Sequence, residues 1–400
     1  MAPLIPVADA RRLIVEALTS GGVETVALSE ALGRVLRADA VAAVSHPPAD
    51  VSAMDGYAVR AGDLTAAGQS LTVVGESAAG HPWAGLVGQG QAVRIFTGAH
   101  MPAGADAIVI QEDTTAAPGA VTILELPVKG RHVRKAGQDF ATGDAMLKTP
   151  HRLSARDIGL LAAMNLPRVS VARRPRIGVL STGDEIVMPG ESVGPGQIVS
   201  ANGPGLCAFV RHYGGEDMAL GVVRDDMSAL RAAITAAGPL DLLVTSGGVS
   251  VGEHDLMGKL MAEAELSFHK IAMRPGKPLL FGRVGKLPVL GLPGNPVSAM
   301  ICAALFLKPA MERLMGLPGD APRTVAAVLG TDMKANDGRE DYVRASLNPD
   351  PTGALVATPF PRQDSGMISA LARAGGLVIR PPHAPEAKAG ERCCVLLLDF

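Results

Sequence analysis

Between Thr245 and Ser298 three turns hold residue types that could bind an anion beside a metal ion. They are Thr245-Ser-Gly-Gly-Val-Ser-Val-Gly-Glu-His-Asp255, Arg274-Pro-Gly-Lys-Pro278 and Gly291-Leu-Pro-Gly-Asn-Pro-Val-Ser298. The first and third follow apolar runs that read as buried strands and precede runs that read as helices. A strand feeding a glycine-rich turn and then a helix leaves backbone N–H groups free for an anion. Arg274 and Lys277 add positive charge, and Asp255 adds a carboxylate suited to a hard cation. The cluster predicts a site for a phosphorylated ligand with a metal ion.

Other carboxylates recur after strands. Asp184 and Glu185 follow one in Ser181-Thr-Gly-Asp-Glu185, and Asp225 and Asp226 follow the next. A helix cap is the plain alternative for each, but the recurrence favours Mg²⁺ held by carboxylates, phosphate oxygens and water. Lys270, Ala272 and Arg274 alternate, so in a strand both charges project from one face. Pro293 and Pro296 stiffen the last turn; Pro296 also suits a helix start, and Ser298 is placed to cap or to bind an anion.

Two look-alike motifs carry less. Gly248-Val-Ser250-Val-Gly252 fits the G-x-S-x-G elbow of serine hydrolases, but Thr245, Ser246 and Gly247 stand between it and the strand. Gly203-Pro-Gly205-Leu-Cys-Ala208 imitates a dinucleotide fingerprint without a strong strand before it. A plain helix start at Asn202 is the better reading. A Walker A sequence is absent.

The elements that must position these residues are legible in the spacing. Residues 8–20 and 153–165 have helical periodicity, and Ser29–Leu36 reads as a second short helix. From about 46 to 140 short runs alternate with Gly and Pro turns: Leu71–Val74, Ala92–Phe96, Ala107–Ile110 and Val121–Leu124. That is a mostly β insert. From Pro175 the pattern is βα. Strands are expected at Ile177–Leu180, Met218–Val223, Leu240–Val244 and Leu287–Leu290, and helices at Asn202–His212, Asp226–Ala236, Asp255–Ala264 and Pro296–Met315. This alternation predicts a three-layer α/β domain around a largely parallel sheet, with its ligand at the carboxyl ends of the strands. After Gly319 the texture is β again, which predicts a C-terminal β-barrel or sandwich. The resulting domains are 1–45 with 141–172, helical and linking; 46–140, the β insert; 173–320, α/β; and 321–400, β.

Composition narrows the function. The 400 residues are 48% hydrophobic yet contain one Trp, three Tyr and eight Phe, so stacking platforms for single-stranded nucleic acid are scarce. A formal net charge of −2 argues against a general nucleic-acid or acidic-membrane binder. Cys207, Cys302, Cys393 and Cys394 form no CxxC pair, and no local zinc motif appears. The N-terminus lacks a signal-peptide pattern, and Ala299–Leu307 is too short to span a bilayer. A soluble cytosolic protein is expected.

Taken together, the signatures Ser52–Ala58, Phe96–Ala99, Val133–Asp139, Ser181–Glu185, Thr245–Asp255, Arg274–Pro278 and Gly291–Ser298 resemble the molybdopterin molybdenumtransferase family. Its eukaryotic relative is the E domain of gephyrin, and the resemblance covers essentially the whole chain. It implies a Mg²⁺-dependent insertion of molybdate into adenylylated molybdopterin with release of AMP. It implies that the α/β domain is the molybdopterin-binding fold, in a homodimer whose site lies between that domain and the other subunit's β insert. Asp55, Thr97, Arg134 and Asp139 would then reach across. Asp184, Glu185, Asp225 and Asp255 would be the acidic set for metal and catalysis, and Gly247, Gly248, Ser250 and Gly252, with Thr182, the nucleotide cradle. Lys270, Arg274, Lys277, Pro293, Pro296, Ser298, Arg344 and Ser365 would hold phosphate or molybdate. Arg274 departs from the family, where Lys is frequent, and changes donor geometry. Gln363-Asp364 departs too, where a smaller residue often precedes Ser-Gly. Transient contacts with a molybdopterin adenylyltransferase and molybdoenzyme acceptors are implied. The rival adenylyltransferase reading lacks a place for the β insert and C-terminal domain; a non-catalytic scaffold lacks a reason for the acidic and basic set.

Overall fold

The computed structural model describes residues 4–224, 226–247 and 265–400. The chain forms two compact units: Thr25–Val171, and Met1–Glu24 together with Ala172–Phe400. The expected domain of 1–45 with 141–172 is thus divided between them. The helix Val7–Ala17 packs on Lys308–Leu314. The Gly21 N–H donates to Leu314 O at 2.7 Å and Arg313 Nε to Leu18 O at 3.1 Å.

In the second unit a six-stranded sheet runs from edge to edge in the order Glu216–Val223, Arg176–Thr182, Leu242–Ser246, Leu287–Leu292, Pro278–Val284, Glu265–Lys270. The first four pair in parallel and the last two are added antiparallel. Leu180, Leu243, Leu280 and Val289 are fully buried against Leu230 of the helix Met227–Ala236. Each such side chain contributes about 1.5–3 kcal/mol relative to exposure. The helix Asn202–His212 has the expected bounds. Pro296 opens its helix as expected, but the run to Leu314 is interrupted by a π-turn at Ala303–Leu307. Pro309 explains the interruption: it lacks an N–H, and its ring would strike the carbonyl of Leu305 in a regular α-turn.

The C-terminal strands close into a five-stranded barrel. Glu340–Pro349 pairs with Leu355–Pro359, which pairs with Thr324–Leu329, then Arg392–Leu397, then Gly376–Arg380, which returns to Glu340–Pro349. Met273–Arg274 joins this sheet beside Glu340 and Asp341. The alternating Lys270, Ala272 and Arg274 therefore do not share one strand face. Ile271 N–H donates to Lys277 O at 3.0 Å, and the chain crosses from the α/β sheet to the barrel between Lys270 and Met273.

In the unit Thr25–Val171 the insert is a mixed sheet ordered Ala107–Ile110, Gly56–Val59, Gln91–Ile95, Gln69–Ser77, Ala120–Ile123, Thr114–Ala117. Both faces are buried. Tyr57, Val59 and Val109 line one cluster, and Ala58, Val93 and Ile108 the other. The expected helix at Ser29–Leu36 is instead a 3₁₀ turn, Leu28–Glu30, followed by a strand, Val35–Leu36. Gly33 at φ +74° takes the left-handed region and stops helical propagation.

The helix Ala155–Ala163 starts at a capping box. Ser154 and Asp157 exchange side-chain and backbone hydrogen bonds, and His151 Nε2 lies 3.0 Å from the same carboxylate. Burial pushes Asp157 up, but the Ser154 hydroxyl and N–H and the His151 ring outweigh it and leave the carboxyl at about 2. A carboxyl depressed on folding stabilises above its unfolded pKa and loses that contribution as pH falls through the folded value. Asp157→Ala should cost ~2 kcal/mol at neutral pH, and the difference from the parent should vanish between about pH 4 and pH 2. Urea unfolding across that range measures it; a pH-independent difference would show that the carboxylate's charge is not the source.

Candidate functional site

The parallel strands end in register. Ser181 lies beside Ser246, and Ser246 beside Leu292. The three loops that follow, Thr182–Glu185, Gly247 and Pro293–Gly294, therefore meet at one crevice. A Cβ on Gly247 would fall 2.4 Å from Thr182 O, and its φ is +89°, so glycine is required there on two counts. A Cβ on Gly294 would lie 3.6 Å from Gly247 Cα. Asn202, at the start of its helix, ties the loops together. Its Nδ2 donates to Ser246 Oγ at 2.6 Å and to Gly294 O at 2.7 Å.

Three buried polar atoms around this crevice have no hydrogen-bond partner among the described residues: Thr182 Oγ1, Thr245 Oγ1 and Asn202 Oδ1. An unmade buried hydrogen bond costs about 1–3 kcal/mol, so such groups are seldom left idle without a ligand or water. Asp184 and Glu185 are exposed at the rim. The Glu185 carboxylate lies over Gly183, where a Cβ would be 2.5 Å from its Oε2. Asp226 caps the helix Met227–Ala236, accepting from Ala229 N–H at 2.7 Å and Ser228 O–H at 2.5 Å. Asp225, Gly248, Ser250, Gly252 and Asp255 lie outside the described residues. Among those described, no group of three or more His, Cys, Asp or Glu is placed to share a metal ion. The donors present, Asp184 and Glu185 beside the unpartnered Thr182 hydroxyl, are all oxygen and suit Mg²⁺ rather than a softer metal.

The basic set is split by its surroundings. Lys277 is exposed and has no ion-pair partner among the described residues, while its turn is fixed: a Cβ on Gly276 would lie 2.7 Å from Cys302 Sγ. Arg274 is engaged by Asp341 at 2.5 Å, Asn336 at 3.2 Å and Asp337 at 3.4 Å. Ser298 is buried in the first turn of its helix, and the adjacent Val297 N–H donates to Ser365 O at 3.1 Å. This brings Ser298 and Ser365 to one place from two domains. Arg344 is 1% exposed. Its guanidinium donates to Gln363 Oε1 at 3.2 Å, Met367 O at 3.1 Å and Asp364 O at 2.9 Å. It therefore shapes the loop that carries Ser365, and Gln363 and Asp364 are part of that shape.

In the insert, Asp55 accepts from the Thr97 N–H at 2.7 Å and the Thr97 hydroxyl at 2.8 Å. Those two bonds, N–H first, hold its carboxyl below the ordinary range, with Arg94 adding to the effect. Arg94 stacks between the Tyr57 and Phe96 rings, at 5.1 and 4.9 Å. Arg134 pairs with Val51 across a short ladder and, with Asp139, lines a cleft of about 590 Å³. Gly98 N–H donates to Ser52 O at 2.8 Å, so Asp55, Thr97, Arg134 and Asp139 gather around one segment. His46 and His100 share that cleft and were not singled out from the sequence, and Gln138 of the Val133–Asp139 signature lines it too. A histidine before two prolines, whose backbone is stiff, was the available signal for His46. For Asn202 it was an amide at a helix start directly behind a glycine-rich turn.

Three family models match in chain order: "MoeA N-terminal region (domain I and II)" over residues 5–165, "Probable molybdopterin binding domain" over 178–313, and "MoeA C-terminal region (domain IV)" over 326–398. The chain is 36% identical to a molybdopterin molybdenumtransferase of Nostoc sp., covering 94% of this chain and 89% of that protein. It is 35% identical to the Haemophilus influenzae protein of the same name, covering 92% of each. A crystal structure of a molybdopterin biosynthesis moeA protein from Pyrococcus horikosii superposes with TM-score 0.84 at 33% identity, covering 99% of both chains.

Removal of the Thr97 hydroxyl tests the Asp55 geometry. In Thr97→Val the Asp55 carboxyl should titrate closer to its ordinary value, read by carbon NMR of the side chain. An unchanged titration would mean that the N–H alone holds the carboxylate.

Proposed function

The chain belongs to the molybdopterin molybdenumtransferase family, and from that premise we propose that it inserts molybdenum from molybdate into adenylylated molybdopterin, releasing AMP. The observation that carries this reading is the crevice itself. It offers hydroxyls on Thr182 and Thr245 that have no partner among the described residues, beside Gly247, whose missing side chain lets a ligand reach the backbone. Hydroxyl and N–H donors of this kind suit phosphate oxygens.

Lys277, Ser298 and Ser365 would hold the molybdate dianion next to the phosphate. Lys270, which ends the sheet's edge strand, Pro293 and Pro296 would complete the wall. Asp184 and Glu185 would hold Mg²⁺, with Asp225 and Asp255 as further acids. Bound there, the ion supplies Lewis-acid polarisation of a phosphoryl oxygen. The dithiolene sulfurs belong to the substrate, so no cysteine of the chain is needed as ligand. Burial pushes Cys207 up to about 11 and raises Cys302 as well, which keeps both as thiols.

Asp55 and Thr97, with Arg134 and Asp139, would act from the insert of a second subunit in a homodimer. Asp55 is held in place by its Thr97 bonds and would orient the attack on the adenylate. Transient contacts with the adenylyltransferase that supplies the adenylate, and with molybdoenzyme acceptors, belong to the same reading. Among the described residues no helix is long and apolar enough to cross a membrane, and the proposed compartment is the cytoplasm.

Two measurements test this reading. The full chain mixed with adenylylated molybdopterin, Mg²⁺ and molybdate should release AMP and yield cofactor that activates an apo-molybdoenzyme; no AMP release would sink it. For the shared site, Asp55→Asn and Glu185→Gln should each lose most turnover. Co-refolding the two variants should restore roughly one quarter of parental activity, because half the dimers are mixed and each mixed dimer has one intact site. No recovery would place both residues in sites that a single subunit completes.

A further inference from the structure

Arg274 has the charge and the neighbourhood of an oxyanion ligand, yet its guanidinium is turned to the C-terminal barrel. Nη2 donates to Asp341 at 2.5 Å and Asn336 at 3.2 Å, while Nη1 reaches Asp337 at 3.4 Å. The acceptors are themselves braced. Asp341 lies on the barrel strand Glu340–Pro349, and Arg339 holds Asp337 at 2.6 Å. Asn336 donates to the carbonyls of Arg339, Arg380 and Pro381. The backbone follows the same path, with Met273 and Arg274 laddered beside Glu340 and Asp341 and Glu340 N–H donating to Ala272 O at 2.9 Å.

The turn that follows has nowhere else to go. Gly276 rests on Cys302 of the helix that carries Ser298, and Ile271 N–H closes onto Lys277 O at 3.0 Å. Lys277 is exposed and has no ion-pair partner among the described residues. The barrel touches the same helix a second time through Ser365 O and Val297 N–H. Two barrel contacts thus bracket the Pro275–Pro278 turn and the first turn of the Ser298 helix.

We infer that Arg274 is a positioning residue: its fork onto Asp341, Asp337 and Asn336 locks the Pro275–Pro278 turn to the barrel, so that Lys277, Ser298 and Ser365 meet the oxyanion as one rigid set. The planar guanidinium can serve two barrel segments at once, which a compact ammonium on an unbranched stem does poorly. The inference rests on the reading of the crevice as the molybdate site.

A double-mutant cycle on the full chain separates positioning from direct binding. Arg274→Gln and Asp341→Asn should each weaken molybdate binding about 10-fold by calorimetry, and the double variant should be no weaker than the worse single, because either change opens the same brace. In turnover the loss should fall mainly on the KM for molybdate. A direct ligand behaves otherwise: Asp341→Asn would leave binding unchanged or tighten it, and the two changes would add; either result overturns the inference. Exchange of the Ile271 amide hydrogen, followed without substrate, should accelerate in both single variants by a similar factor, and unchanged exchange also overturns it. Because that readout needs no substrate, a parent chain that released no AMP would refute the proposed reaction while the exchange data still decided the brace.

Discussion

Everything at the crevice depends on how closely two strand-ending loops approach each other. Gly247 and Thr182 lie so near that a single Cβ would collide with a backbone carbonyl at 2.4 Å. The approach is possible because Ser181, Ser246 and Leu292 end adjacent parallel strands in register. Register is fixed in turn by Leu180, Leu243 and Val289, which are fully buried and would move to the wrong face on a one-residue slip. The apolar pattern of the strands therefore reaches the chemistry directly: it decides where polar backbone and hydroxyl groups are left without partners.

The barrel extends that constraint to the cations. A flexible lysine binds an oxyanion weakly if its backbone must first be ordered, since each immobilised long side chain costs about 0.5–1.5 kcal/mol. Here the turn holding Lys277 is set by the Arg274 contacts on one side and by Cys302 on the other. Pro275 and Pro278 flank the same turn, which reduces the freedom that must be lost.

Much of this was legible in the sequence, and the gaps have physical causes. Asn202–His212 was legible to the residue because its apolar spacing was strong and its start was marked. Ser29–Leu36 was misread as a helix because Gly33 and Val35, which break and disfavour one, were outweighed by Leu32 and Leu36 at helical spacing. The crevice loops announced themselves through glycine and proline. Arg274 did not, because charge and position along the chain say that it can bind an anion but not that three acceptors of a distant domain already occupy it. His46 and Asn202 were missed for the same reason. Their partners are far away in sequence, and only the fold brings them near.

Arg344 shows how a buried charge can serve an exposed site. Burial works against its protonated form and moves its pKa down, but arginine stays protonated in proteins. The three acceptors that solvate it, the Gln363 amide and the carbonyls of Asp364 and Met367, are neutral. They satisfy the guanidinium's donors, while the Asp364 carboxylate nearby offsets part of its charge. The nearby Asp364 carboxylate is occupied by the Gly366 N–H at 2.7 Å. A positive charge thus sits under the loop whose Ser365 carbonyl reaches the Ser298 helix, in surroundings where water screens it poorly. Replacing it with an apolar residue would spare the cost of burial but would unmake the loop and remove the field together.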